Sequence, residues 1–291
     1  VAQLFGFAQF ELAGALAVPD GRYLVRGDGP DEAQSVLVIE TLGAPPAGRR
    51  RRKPRRADPG AEPEALPLAR ATAVRAHQPF GTEGEAARWL EGAVASEEQV
   101  GELVAEGIDL LNRALHAQAA ASADPRVAET GPERAIKVRI GYGSGEQVAA
   151  GRFAAAREID ARKGAGSRRR HREEELRPQE RVAAVLGGRE QIDACETLLL
   201  RARADLDAGR RREAALQLRV GLEALLVELA GALTDPGHEE DMATLEARRG
   251  EAGEAANAAL RGDLDDERER QVRELVELCE RVLRRRRVLR G

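Results

Sequence analysis

Aromatic side chains make up 3% of this 291-residue chain, and past residue 153 there are none. The eight present are Phe5, Phe7, Phe10, Tyr23, Phe80, Trp89, Tyr142 and Phe153. Strands favour aromatic and β-branched residues, whereas a helical bundle packs from Leu, Val and Ala alone. The break therefore predicts an α+β chain: a small, mainly antiparallel sheet with helices in the N-terminal half, then an all-helical domain containing an antiparallel helical hairpin.

Lysine is scarcer still. Lys53, Lys137 and Lys163 are the only ones among 46 basic residues, so the remainder are arginine, a pattern that fits a GC-rich coding bias. Acidic residues number 50 and the formal charge is -4, which argues against a surface built throughout for nucleic acid and leaves only a local contact open. Cys195 and Cys279 lie outside any CxxC or Cys/His spacing, and His77, His116, His171 and His238 include no i, i+4 pair. That spacing predicts no metal site, and two small buried thiols. The only serines are Ser35, Ser96, Ser122, Ser144 and Ser167; Ser144 misses a G-x-S-x-G elbow because Tyr142 stands where the first glycine belongs. No segment approaches the ~20 uninterrupted apolar residues of a membrane span. "VAQLFGFAQFELAGALAVP" is apolar and its "ALA" resembles a cleavage site, but no basic residue precedes Arg22. The expectation is a cytoplasmic protein that does not enter a membrane.

Along the chain, Leu4 to Leu12 alternates like a strand, "VPDGR" at 18–22 makes a turn, and "GRYLVR" and "SVLVIETL" follow as strands, together a three-stranded meander. Residues 43–67 are an exposed Arg/Pro-rich insertion, and "LARATAVRA" is a fourth strand. Thr82 with Glu85 and Ser96 with Gln99 have capping-box spacing, starting a short helix with Trp89 and a longer one over 97–122. "AIKVRI" at 135–140 alternates as a half-buried strand. Residues 1–160 thus form one mixed domain, 161–178 a charged linker and 179–291 a helical domain. In the last, Ile192, Cys195, Leu199, Ala202 and Leu206 share one face, as do Ala215, Leu218, Leu222, Leu225 and Leu229, with Gly209 between them placed to end a helix. A Gly-interrupted helix and a final helix over about 263–289 complete the pattern.

The stretch "DAGRRREAALQL" resembles the turn of a tetratricopeptide-type helical pair. The resemblance covers one repeat's length, lacks the Trp and Tyr of that consensus, and implies a helical hairpin rather than an array, since no copy recurs at the ~34-residue period.

Three features bear on function. "VRIGYGSGE" places Gly141, Gly143, Ser144 and Gly145 after a strand, where backbone N–H groups can hold a nucleotide or S-adenosylmethionine phosphate or carboxylate. Glu146 takes the place of the third glycine of GxGxxG and no convincing strand follows, so the sequence favours a glycine-dependent turn and no cofactor. Arg49, Arg50, Arg51, Arg52, Lys53, Arg55 and Arg56 could neutralise nucleic-acid phosphates, but no stacking aromatic lies among them and acids follow at once. Val272, Val276, Cys279 and Leu283 belong to an apolar stripe on the last helix, an association surface within the chain or between chains. The reading is a non-enzymatic interaction or scaffold protein working through helical faces, with a protein partner or self-association. A nucleic-acid-associated protein and a nucleotide-binding enzyme are the alternatives.

Overall fold

Strand β1 (Leu4–Ala13) is buried on both faces, and that places it mid-sheet. The computed structural model describes residues 3–26, 33–43, 67–160, 178–231, 234–262 and 264–290. The chain forms two compact units, Val1–Ser167 and Arg168–Gly291.

In the first unit, β2 (Gly21–Arg26), β3 (Ala33–Leu42), β4 (Leu68–Phe80), β5 (Ala135–Ser144) and β6 (Ala155–Ile159) join β1 in an antiparallel sheet of order β2-β3-β4-β1-β5-β6. The expected meander is thus corrected: β2 pairs β3 and β3 pairs β4, but β1 pairs β4 and β5 and is not paired with β2. The reason lies in burial. Phe7, Phe10 and Leu12 need neighbours on both sides, whereas β2 alternates half-buried with exposed residues and suits an edge.

One face of the sheet is covered by α1 (Glu83–Ala95) and α2 (Glu97–Ser122). Both begin as the capping pattern predicts: Thr82 Oγ1 accepts from Glu85 N at 3.2 Å and Ser96 Oγ from Gln99 N at 3.3 Å. Leu90, Leu103, Val104 and Ile108 pack on Ala8, Phe10, Val138 and Ile140, while Leu111 and Leu115 pack on Leu12, Leu37 and Ile39. Ile136, expected on the buried side of β5, is 59% exposed, because the β5–β6 pairing stops at Val138.

The second unit is all-helical: α4 (Pro178–Leu186), α5 (Ala194–Asp207), α6 (Arg211–Glu228), α7 (Pro236–Arg261) and α8 (Asp266–Arg290). A four-residue helix, α3 (Gly145–Val148), belongs to the first unit. Helices α5 and α6 form the predicted hairpin, and Gly209 at φ +70 turns the chain in the left-handed region. Ile192, assigned above to the buried face, precedes α5 and is 59% exposed. The glycines expected to interrupt the next helix do not: α7 runs continuously over 26 residues, with Asp235 capping it through His238 N at 2.9 Å.

Successive helices run antiparallel and the ring closes. Arg249 meets Glu223 between α7 and α6, Arg248 meets Glu274 between α7 and α8, and Arg203 meets Glu280 between α5 and α8. Leucines 199, 218, 222, 225, 245 and 275 fill the centre. A solenoid would leave its last helix open; here α8 packs back on α5, and the unit is a four-helix bundle with α4 beside it.

Candidate interaction surface

The glycine-rich stretch is strand, and the expectation of a loop there is corrected. Residues 141–144 continue β5, with Phe7 opposite Gly141 on β1 and Ala156 opposite it on β6. A Cβ on Gly141 would collide with the carbonyl oxygen of Ala155 and stand 2.8 Å from Phe7 Cζ and from Ala156 Cβ. Close strand approach is what the glycine permits. Ser144 then caps α3 in a full capping box: its Oγ accepts from Gln147 N, and Gln147 Oε1 accepts from Ser144 N at 2.9 Å. The strand said to be missing after residue 153 exists as β6, but it returns antiparallel without a crossover helix, unlike a dinucleotide-binding unit.

On the sheet face opposite α1 and α2, cross-strand neighbours Glu40, Arg70, Glu11 and Lys137 alternate in charge across four strands. Arg139 Nη1 donates to Glu11 Oε1 at 2.7 Å and to Gln9 Oε1 at 3.2 Å. Gln9, 1% exposed, donates from Nε2 to Thr72 Oγ1 and to the Gly151 carbonyl. Burial pushes the Glu11 carboxyl up, but Arg139, Arg70 and Lys137 outweigh it and hold the group below its ordinary value. This ladder ties the α3–β6 connection to the sheet and commits its charges to one another.

The arginine run from Arg49 to Arg56 lies outside the described residues. The stripe of Val272, Val276, Cys279 and Leu283 is the bundle's own core, packed with Leu199, Leu222 and Leu245. Its surface is covered within the chain. Cys195 and Cys279 are both buried and free, and burial pushes each thiol up to about 12, with the Glu228 carboxylate adding to the effect at Cys195. Among the described residues no group of three or more His, Cys, Asp or Glu is placed to hold a metal ion, and no helix is long and apolar enough to cross a membrane.

The surface that sequence reasoning missed is on α6. With Leu218, Leu222 and Leu225 turned inward, Leu216, Val220, Ala224 and Val227 follow one another at steps of four, four and three on the outward side. Val220 is 55% and Val227 78% exposed, while Leu216 and Ala224 are partly buried and pack against the bundle core. Glu223, held by Arg249 Nη2 at 2.5 Å, and Arg219, bonded to Asn257 Oδ1 at 3.3 Å, rim one side. The stripe was visible as a second periodic series, masked by the stronger leucine series of the same helix. No protein-family model matches the chain, and no curated protein or solved structure matches it.

Proposed function

We propose that the protein is a non-enzymatic interaction protein whose contact surface is the outward face of α6, and that the helix it meets there is α6 of a second copy. The exposure of Val220 and Val227 at the middle of that face carries the reading. Solvent-facing positions at the centre of a bundle helix are ordinarily polar, and two valines one heptad apart supply a seam for a facing helix.

The face is also self-complementary. About the midpoint of Gly221 and Leu222, an antiparallel two-fold sets Leu216 of each copy at the height of Val227 of the other. Twelve residues of helix span roughly 18 Å, which buries less than the ~800 Å² per partner of a stable complex. Association is therefore weak and concentration-dependent.

Several described side chains suited to chemistry are committed elsewhere. Glu11 serves Arg139 and Arg70, Glu196 serves Arg181 and Arg287, and both cysteines are held as neutral thiols. Two free buried thiols suit a reducing compartment, and the cytoplasm is the compartment we assign. Sedimentation equilibrium over micromolar to millimolar protein tests the reading. The native chain is expected to shift toward a dimer, and Val220→Lys/Val227→Lys to stay monomeric with an unchanged melting temperature. A native chain that remains monomeric throughout, or a double variant that associates equally, overturns it.

A further inference from the structure

On β3, Ile39, Leu37 and Ser35 lie at alternate positions on the face toward α2, and the first two pack on Leu111 and Leu115. Ser35 breaks the apolar series. It is 3% exposed, and its hydroxyl makes no hydrogen bond within the described residues. Buried hydroxyls ordinarily have a partner, so this one is open to a group that enters from outside. With its cross-strand neighbour Val25 on β2, and with Ala105 and Leu110 on α2, Ser35 lines a surface hollow of about 450 Å³ at the β2 edge of the sheet.

The remaining lining is charged: Glu102, Glu106 and Asp109 follow at steps of four and three along α2, and Arg113 stands one turn further on. Acids at such spacing repel one another along a helix. Arg75 on β4 lies 3.4 Å from Glu106, and Arg113 Nη2 donates to the Arg26 carbonyl at 3.4 Å, but Glu102 has no ion pair among the described residues. Three carboxylates against two guanidiniums leave one net negative charge, which turns anions away. A metal ion fits no better, since no group of three or more His, Cys, Asp or Glu among the described residues is placed to hold one.

We infer that this hollow binds a small aliphatic amine, its ammonium directed to the Ser35 hydroxyl and the Glu102 carboxylate and its chain laid along Val25, Ala105 and Leu110. An ammonium carries three donors and no acceptor, which matches a hydroxyl oxygen with free lone pairs and a carboxylate without a counter-charge. It also relieves the repulsion between Glu102 and Glu106, one turn apart on the same helix face. The apolar walls give the alkyl part a contact that a bare inorganic cation could not use. Asp109, at the far end of the acidic series, offers a second seat for a ligand with an ammonium at each end.

The test is calorimetric titration of the full chain with pentylamine, cadaverine and pentanol at fixed pH and ionic strength. Both amines should bind saturably and one to one, and pentanol, which lacks the charge, about tenfold more weakly or worse. Ser35→Ala takes away a hydroxyl that has no partner to lose, and Glu102→Gln alters an exposed side chain, so both variants should fold. Each should weaken amine binding by about threefold or more. Glu91→Gln, the same change of charge at an exposed position on α1, should bind as the native chain does. Cadaverine bound severalfold tighter than pentylamine identifies a diamine as the ligand, and equal affinity identifies a monoamine. Absence of saturable amine binding, pentanol bound equally well, undiminished binding by Ser35→Ala or Glu102→Gln, or an equal loss in Glu91→Gln overturns the assignment.

Discussion

Arg203 holds Glu280 with two parallel hydrogen bonds, Nε to Oε1 at 2.8 Å and Nη2 to Oε2 at 2.9 Å, across the interface between the first and last helices of the bundle. Both side chains are about a quarter exposed, so water screens the pair only in part. The Glu280 hydrogen bond holds the Arg203 guanidinium above its ordinary value, ahead of the opposing effect of burial. A fork–fork pair is specific in geometry as well as charge, and this one joins segments 77 residues apart in sequence.

A double-mutant cycle with Arg203→Ala and Glu280→Ala should give a coupling energy of about 1 kcal/mol, at the upper end for a partly exposed pair. Arg203→Lys should restore less than half, because an ammonium makes a point contact where the guanidinium makes two bonds. Denaturant melts at neutral pH read this directly. A coupling near zero would mean that the apolar seam alone closes α8 onto α5.

Gly141→Ala should destabilise the first unit by about 2 kcal/mol, since the added methyl group meets backbone oxygen at Ala155 and the Phe7 ring. Amide exchange on β6 should rise more than on β3, because β6 is paired on one side only, to β5. The same close packing predicts no saturable binding of ATP, NAD or S-adenosylmethionine. Micromolar affinity for any of them, lost in Gly143→Val without unfolding, would contradict a conformational role for the stretch.

Local pattern carried much of this architecture. The caps at Thr82 and Ser96, the turn at Gly209 and the inward leucines of α5 and α6 are written in short-range spacing, which helices read directly. Strand order is not. That β1 lies between β4 and β5 depends on pairings across 55 to 140 positions, and the partners of Gln9, namely Thr72, Gly151 and Arg139, are equally remote in sequence. The outward stripe of α6 failed to register for another reason: a helix with two apolar series looks like one well-packed helix until the depth of each face is known. The fan of ion pairs from Arg285, Arg286 and Arg287 reads in sequence as a run of like charge at a helix end, a favourable place for it, and gives no sign of which acids it reaches.

The final prediction concerns alkaline pH. Lys53, Lys137 and Lys163, with Tyr23 and Tyr142, all precede Arg168, so the bundle contains no lysine and no tyrosine. Its arginines stay protonated to extreme pH, which leaves Cys195 and Cys279 as its side chains that titrate between pH 9 and 12. Burial raises both thiols from 9.0 to about 12 in the folded chain. The sign follows from linkage: between those values the unfolded chain has released protons that the folded chain still holds, so each thiol's contribution is fully present below pH 9 and falls as pH rises toward 12. Amide exchange in α5 to α8 should therefore accelerate between pH 9 and 11 beyond the intrinsic effect of hydroxide, after correction with unfolded peptides. In Cys195→Ala/Cys279→Ala that excess should disappear, although the double variant starts from lower stability because two side chains have been shortened in a filled core. The thiols of the native protein should also resist alkylation at pH 8 until denaturant is added. An excess that persists undiminished in the double variant would place the alkaline weakness outside the bundle core.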